Sequence, residues 1–140
     1  MSTRTASLRL QTVEGEGLRF DVATGKVAFT LDSGPGVAHP SPMEVVLGAV
    51  GGCSAMDVIS ILRKQRQRVT GYEVEVTAER REEHPRAYTR IEVLHRVRGH
   101  GVSPAAVEEA IRLSDTKYCS VHAMLAPAVA LSSRYEILPA

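Results

Sequence analysis

The sequence predicts an α+β fold with a mainly antiparallel sheet, and three patterns carry that expectation. Short alternating segments fill the first forty residues, a long apolar segment with a marked start follows at 41–62, and a charged turn joins two more alternating segments before residue 100. The resulting order, βββ-α-ββ-αα-β, groups strands with strands and so favours α+β over a wound parallel sheet.

Ala6 to Val13 alternates apolar and polar residues, the period of a half-buried strand. Glu14-Gly15-Glu16-Gly17 is a turn, and Leu18 to Val22 and Lys26 to Leu31 give two short strands with Thr24-Gly25 between them. Ser41-Pro42-Met43-Glu44 is a capping box: the Ser41 hydroxyl accepts from a free N–H, Pro42 fits the first helical position, and Glu44 reaches back to the cap. The helix it opens runs apolar to Leu62 and ends among Arg63, Lys64, Arg66 and Arg68, charges suited to a solvated helix C-terminus. Tyr72 to Ala78 and Tyr88 to Arg98 form a β-hairpin across the charged turn 79–86, with Ile91, Val93 and Val97 on one face. Ser103-Pro104 opens a second helix, with Val107, Ala110, Ile111 and Ser114 on one face. A short third helix begins at Ser120 and stops at Pro127, and a closing strand runs from Val129 to Ile137.

A length of 140 residues suits a single domain, 1–140. A net charge of +1 and the absence of Trp give no electrostatic or stacking platform for nucleic acid, so none is expected as a partner. Met1 to Ala6 lacks the apolar core of a secretory signal, which makes a cytoplasmic location the expectation. Residues 45–62 carry one charge, Asp57, and approach the length that spans a bilayer. Three glycines, two serines and a central Asp, which costs roughly 2.5–3.5 kcal/mol on insertion, argue instead for the middle of a folded core or a dimer core. No membrane is expected.

The chemistry concentrates on two cysteines, Cys53 and Cys119, which are 66 positions apart. A thiolate needs a helix N-terminus or a cation to form at neutral pH. Cys119, just before a cap at Ser120, has the first; Cys53, ten residues into its helix, needs help from elsewhere. Gly48 and Gly52, four apart with Gly51 beside them, suggest that a helix or a substrate approaches closely there. Asp57 lies one turn after Cys53 on its face and must find a polar partner. Free Cys is also an ordinary core residue, so two buried hydrophobes are the plain alternative to a redox pair. Neither Cys-x-x-Cys nor His-x-x-x-His spacing occurs, and no metal or other cofactor is expected.

The stretch from Ser41 to Val58, containing Gly51-Gly52-Cys53-Ser54-Ala55, together with Lys117-Tyr118-Cys119-Ser120-Val121 and Glu79-Arg80-Arg81-Glu82-Glu83, resembles the OsmC/Ohr superfamily and within it the YhfA-like branch. The resemblance implies antiparallel sheets wrapped around long central helices in an intertwined homodimer. It also implies thiol-dependent reduction of organic hydroperoxides in oxidative or osmotic stress. Cys53 matches the peroxidatic cysteine and Cys119 the resolving one, and a dithiol of lipoyl type is the implied reductant. The chain departs from the peroxidase branches at two places: Met43 follows the helix-start proline where they carry an acid, and Glu16 falls where they carry an activating arginine. Arg19, Glu44 and Asp57 are therefore the candidates for activating or supporting roles. The alternative is a member of the same fold that is not a peroxidase and binds a small apolar ligand or senses redox state.

Overall fold

The computed structural model describes residues 1–140. It is α+β, with two three-stranded sheets. The chain divides into two compact units, Met1–Val46 and Leu47–Ala140.

The first unit is a meander. β1 (Ala6–Leu10), β2 (Phe20–Thr24) and β3 (Val27–Leu31) pair antiparallel in chain order. β1 is shorter than its alternation suggests, since Gln11 to Val13 join the turn. Gly25, at φ +57°, makes the tight β2–β3 connection at the expected place. Asp32, buried after β3, takes a hydrogen bond from Gly34 N and an ion pair with Arg19 at 3.0 Å. The Gly34 N–H and the Arg19 guanidinium, against the opposing effect of burial, hold its carboxyl below the usual range.

α1 (Pro42–Lys64) starts as the capping box requires: Ser41 N donates to Glu44 Oε1 at 3.0 Å and Glu44 N to Ser41 Oγ at 3.2 Å. It ends in a Schellman-type turn, with Gln67 N donating to Leu62 O and Arg66 N to Arg63 O while Arg66 sits at φ +57°.

In the second unit, β4 (Arg68–Arg80) and β5 (Tyr88–His100) form the expected antiparallel hairpin, longer at both ends than the alternation alone marks. β6 (Ala130–Pro139) lies parallel to β5. The crossover explains that departure from an antiparallel sheet: α2 (Pro104–Leu113) and α3 (Ser120–Leu125) carry the chain back to the starting end of β5. The core has two clusters. Val58 and Leu62 of α1 pack with Val97, Val102, Val107 and Ile111. Val50 packs with Ile91 and Val93, and with Val74 and Val76 at its margin. The backbone approaches most closely at Gly51, where a β-carbon would meet Val76 Cγ2 at 2.7 Å. Gly48 and Gly52 face open space within the chain, so no element of this chain makes the close approach expected there. The sheet lies against the Gly51 side of α1, about 100° round the helix from Gly52 and about 60° from Gly48.

Candidate functional site

Cys53 and Asp57 are an i,i+4 pair on α1, so helical geometry alone sets them side by side. Cys119 is brought to them by the α2–α3 crossover. After α2, five residues, Ser114–Tyr118, form a π-helical turn in which Cys119 N donates to Ser114 O at 2.8 Å. Such wide turns are frequent where a site must be shaped. This one buries Ser114 and delivers Cys119 to the N-cap of α3. The two cysteine sulfurs and an Asp57 carboxylate oxygen all lie within 4.8 Å of one another. Both cysteines are free thiols; Cys53 is half-buried and Cys119 buried.

The cap falls on Cys119 itself rather than on Ser120. Its Sγ accepts the His122 N–H at 3.3 Å. That helix N–H favours the thiolate, as expected, but it does not decide the net effect. Burial, then the Cys53 thiol and the Asp57 carboxylate, outweigh the His122 N–H and push Cys119 from 9.0 up to about 11. Its thiol is therefore protonated at neutral pH.

Asp57 finds its partner in the buried Ser114 hydroxyl, which donates to Oδ2 at 3.0 Å. Glu44 is occupied in the α1 cap and Arg19 in its pair with Asp32, so both have structural partners in the N-terminal unit. Beside Asp57, a cleft of about 470 Å³ opens between Ile61, Leu113 and Tyr118.

A further polar group escaped the sequence reading. His95 is fully buried on the inward face of β5, between Val93 and Val97. Its Nδ1 lies 2.6 Å from Tyr72 Oη and its Nε2 3.4 Å from Oγ of Ser54, the neighbour of Cys53. The Tyr72 and His95 rings, 7° from parallel with centroids 6.0 Å apart, meet edge to edge through that bond. Burial lowers the His95 pKa against a smaller opposing pull from Asp115. Burial, then the Asp57 charge, raises that of Tyr72. A neutral imidazole presents one donor and one acceptor nitrogen, and the phenol and the Ser54 hydroxyl can each complement either role. The signal was present: the alternation that put Ile91, Val93 and Val97 on one face puts His95 there too.

The OsmC-like protein family model matches residues 33–134. Protein YhfA of Escherichia coli strain K12 is 47% identical over 132 residues, which is 94% of this chain and 98% of YhfA. A crystal structure of a hypothetical protein from Aquifex aeolicus is 33% identical, with TM-score 0.88 over 100% of this chain and 99% of that one. The organic hydroperoxide resistance protein OhrB of Bacillus subtilis, 12% identical, shares the fold at TM-score 0.62 over 96% of this chain and 98% of its own. The matched segment includes α1 with Cys53, the hairpin, and the crossover with Cys119, and the chain belongs to the OsmC-like protein family.

Proposed function

We propose that this protein reduces organic hydroperoxides through Cys53 and Cys119, as part of oxidative or osmotic stress protection. The observation that carries the reading is the meeting of two free sulfurs, from elements far apart in sequence, within 4.8 Å. Family membership and the fold shared with a hydroperoxide resistance protein point the same way.

The two settings divide the roles. Cys53, the more exposed, gives up its proton and attacks the O–O bond as a thiolate; the bond breaks, Cys53 becomes a sulfenic acid, and the alkoxide takes up a proton and leaves as the alcohol. Cys119, buried and protonated, is the resolving thiol. It attacks the sulfenic sulfur, and its proton leaves with the hydroxide as water. A disulfide needs the sulfurs at about 2.05 Å, so they close by up to roughly 3 Å. A dithiol reductant, of lipoyl type, then reopens the bond. Asp57 supports this as a hydrogen-bonded proton acceptor, since its negative charge opposes a neighbouring thiolate. Arg19 and Glu44 act at most as supporting residues, through Asp32 and the α1 cap.

We propose one domain, 1–140, that acts as a homodimer in the cytoplasm. α1 is long and apolar enough to cross a membrane, yet only 28% of its most apolar window is buried within the chain. Gly48 and Met56 lie exposed along it, and Leu8 and Phe29 are exposed on the N-terminal sheet. A second copy is the natural cover for such surfaces.

Prereduced protein with cumene hydroperoxide and a dithiol should turn over, and Cys53→Ser should abolish turnover. Activity that survives that substitution contradicts the proposal.

The second reading is a member of the fold that is not a peroxidase, binding a small apolar ligand or sensing redox state. The raised Cys119 pKa, the carboxylate beside both thiols and the cleft at Ile61 and Tyr118 favour it. A Cys53 thiol titrating above about 8.5, with no peroxide turnover, would support it. Rapid sulfenic acid formation would count against it.

A further inference from the structure

The three side chains of the thiol site also form a ligand set. Cys53 and Asp57 project from one face of α1, Cys119 from the N-cap of α3, and their ligand atoms lie within 4.8 Å of one another. A tetrahedral zinc ion, with sulfur at about 2.3 Å and oxygen near 2.1 Å, separates its ligand atoms by roughly 3.5–3.8 Å. Closing on such an ion requires movements on the order of 1 Å, within reach of small side-chain rotations. We propose that the reduced protein binds one thiophilic divalent cation, of the zinc and cadmium class, through Cys53 Sγ, Cys119 Sγ and an Asp57 carboxylate oxygen.

Two sulfur ligands select this class over magnesium or calcium, which prefer oxygen throughout. Asp57 has the outer hydrogen bond that orients a ligating carboxylate, from Ser114 to Oδ2. His122 is turned toward another partner, with its Nδ1 3.7 Å from Asp115 Oδ1. Cys53 is half exposed, so solvent can supply the fourth position. Three protein ligands with an open position describe an exchangeable site rather than a closed structural one. Sequence spacing gave no warning, because the third ligand arrives through the fold from 62 positions beyond Asp57.

Binding requires thiolates. Each thiol gives up its proton to the solvent as the metal arrives, so affinity rises with pH. A bound cation occupies both sulfurs and blocks their attack on any electrophile. A Cys53–Cys119 disulfide leaves only Asp57 to ligate. The site would thus hold metal only when reduced.

The test is an anaerobic titration of the reduced full-length protein with cadmium(II) and cobalt(II), followed by the ultraviolet thiolate-to-metal charge-transfer band. The band should saturate at one cation per chain, and bound cadmium should shield both thiols from alkylation. It should vanish in Cys53→Ser, in Cys119→Ser and in the disulfide form. Asp57→Asn should weaken binding at least about 10-fold, and affinity should rise from pH 6 to about pH 8. Circular dichroism establishes that each variant is folded; should one fail to fold, the alkylation result in the unsubstituted chain decides alone. No band, a band that survives Cys119→Ser, or one cation per two chains overturns the proposal. The readout uses no peroxide, so a chain that binds cadmium but reduces no hydroperoxide overturns the peroxidase reading and leaves this one standing.

Discussion

The two units of the chain differ in what they bury. In the C-terminal unit, Val58, Leu62, Ile91, Val97 and Val107 are sealed from solvent, and His95 and Ser114 are sealed with them. In the N-terminal unit Val22 is the one buried hydrophobic, while Leu8, Val27 and Phe29 stand exposed on a three-stranded sheet. Half-buried sheets are stable when something covers their apolar residues. The contrast teaches that the closed core and the thiol chemistry reside in the same unit. The C-terminal unit holds a closed core and the two thiols with Asp57 and Ser114 beside them, and the N-terminal unit presents exposed apolar residues.

Substitution can break this comparison. Leu62→Ala should cost about 2–5 kcal/mol in urea unfolding, as a sealed core leucine does. Leu8→Ala in dilute protein should cost no more than about 0.5 kcal/mol. A larger loss that grows with protein concentration would place Leu8 in a copy–copy interface. Equal losses for the two at low concentration would break the contrast. Tyr72→Phe should cost roughly 1–3 kcal/mol, because it leaves His95 Nδ1 buried without its hydrogen-bond partner. Ser103→Ala should cost about 1 kcal/mol through the lost bond to Ala106 N at the α2 cap.

The gentlest probe is pH. His95, faced by Tyr72 from β4, Ser54 from α1 and the Asp115 charge from the π-helical turn, has its pKa lowered from 6.5 by burial. The unfolded chain therefore binds a proton that the folded chain refuses. Stability is full above about pH 6.5 and falls as pH drops toward the folded value. Urea midpoints between pH 7 and 5 should show this slope, and His95→Gln should flatten it.

Much of this was legible in the sequence. The Ser41-Pro42-Met43-Glu44 box located the start of α1, and alternation found both strands of the hairpin, because these features are local. The rest depended on packing. Alternation cannot tell a parallel neighbour from an antiparallel one, so the closing strand was legible without its direction, which the two-helix crossover before it makes parallel to β5. The glycine of closest approach was Gly51 because the sheet chooses the helix face. The cap moved from Ser120 to Cys119, and burial reversed the expected effect on its thiol. His95 was hidden because a histidine on an apolar strand face becomes notable only once Tyr72 and Ser54 are seen to meet it.

The central claim is that Cys53 and Cys119 form one redox centre. The direct measurement is peptide mapping by mass spectrometry after one equivalent of organic hydroperoxide is added to the reduced protein in dilute solution. The account predicts a Cys53–Cys119 disulfide in the unsubstituted chain and a trappable sulfenic acid on Cys53 in Cys119→Ser. Two thiols left reduced, or cysteines oxidised independently without a bond between them, would contradict it.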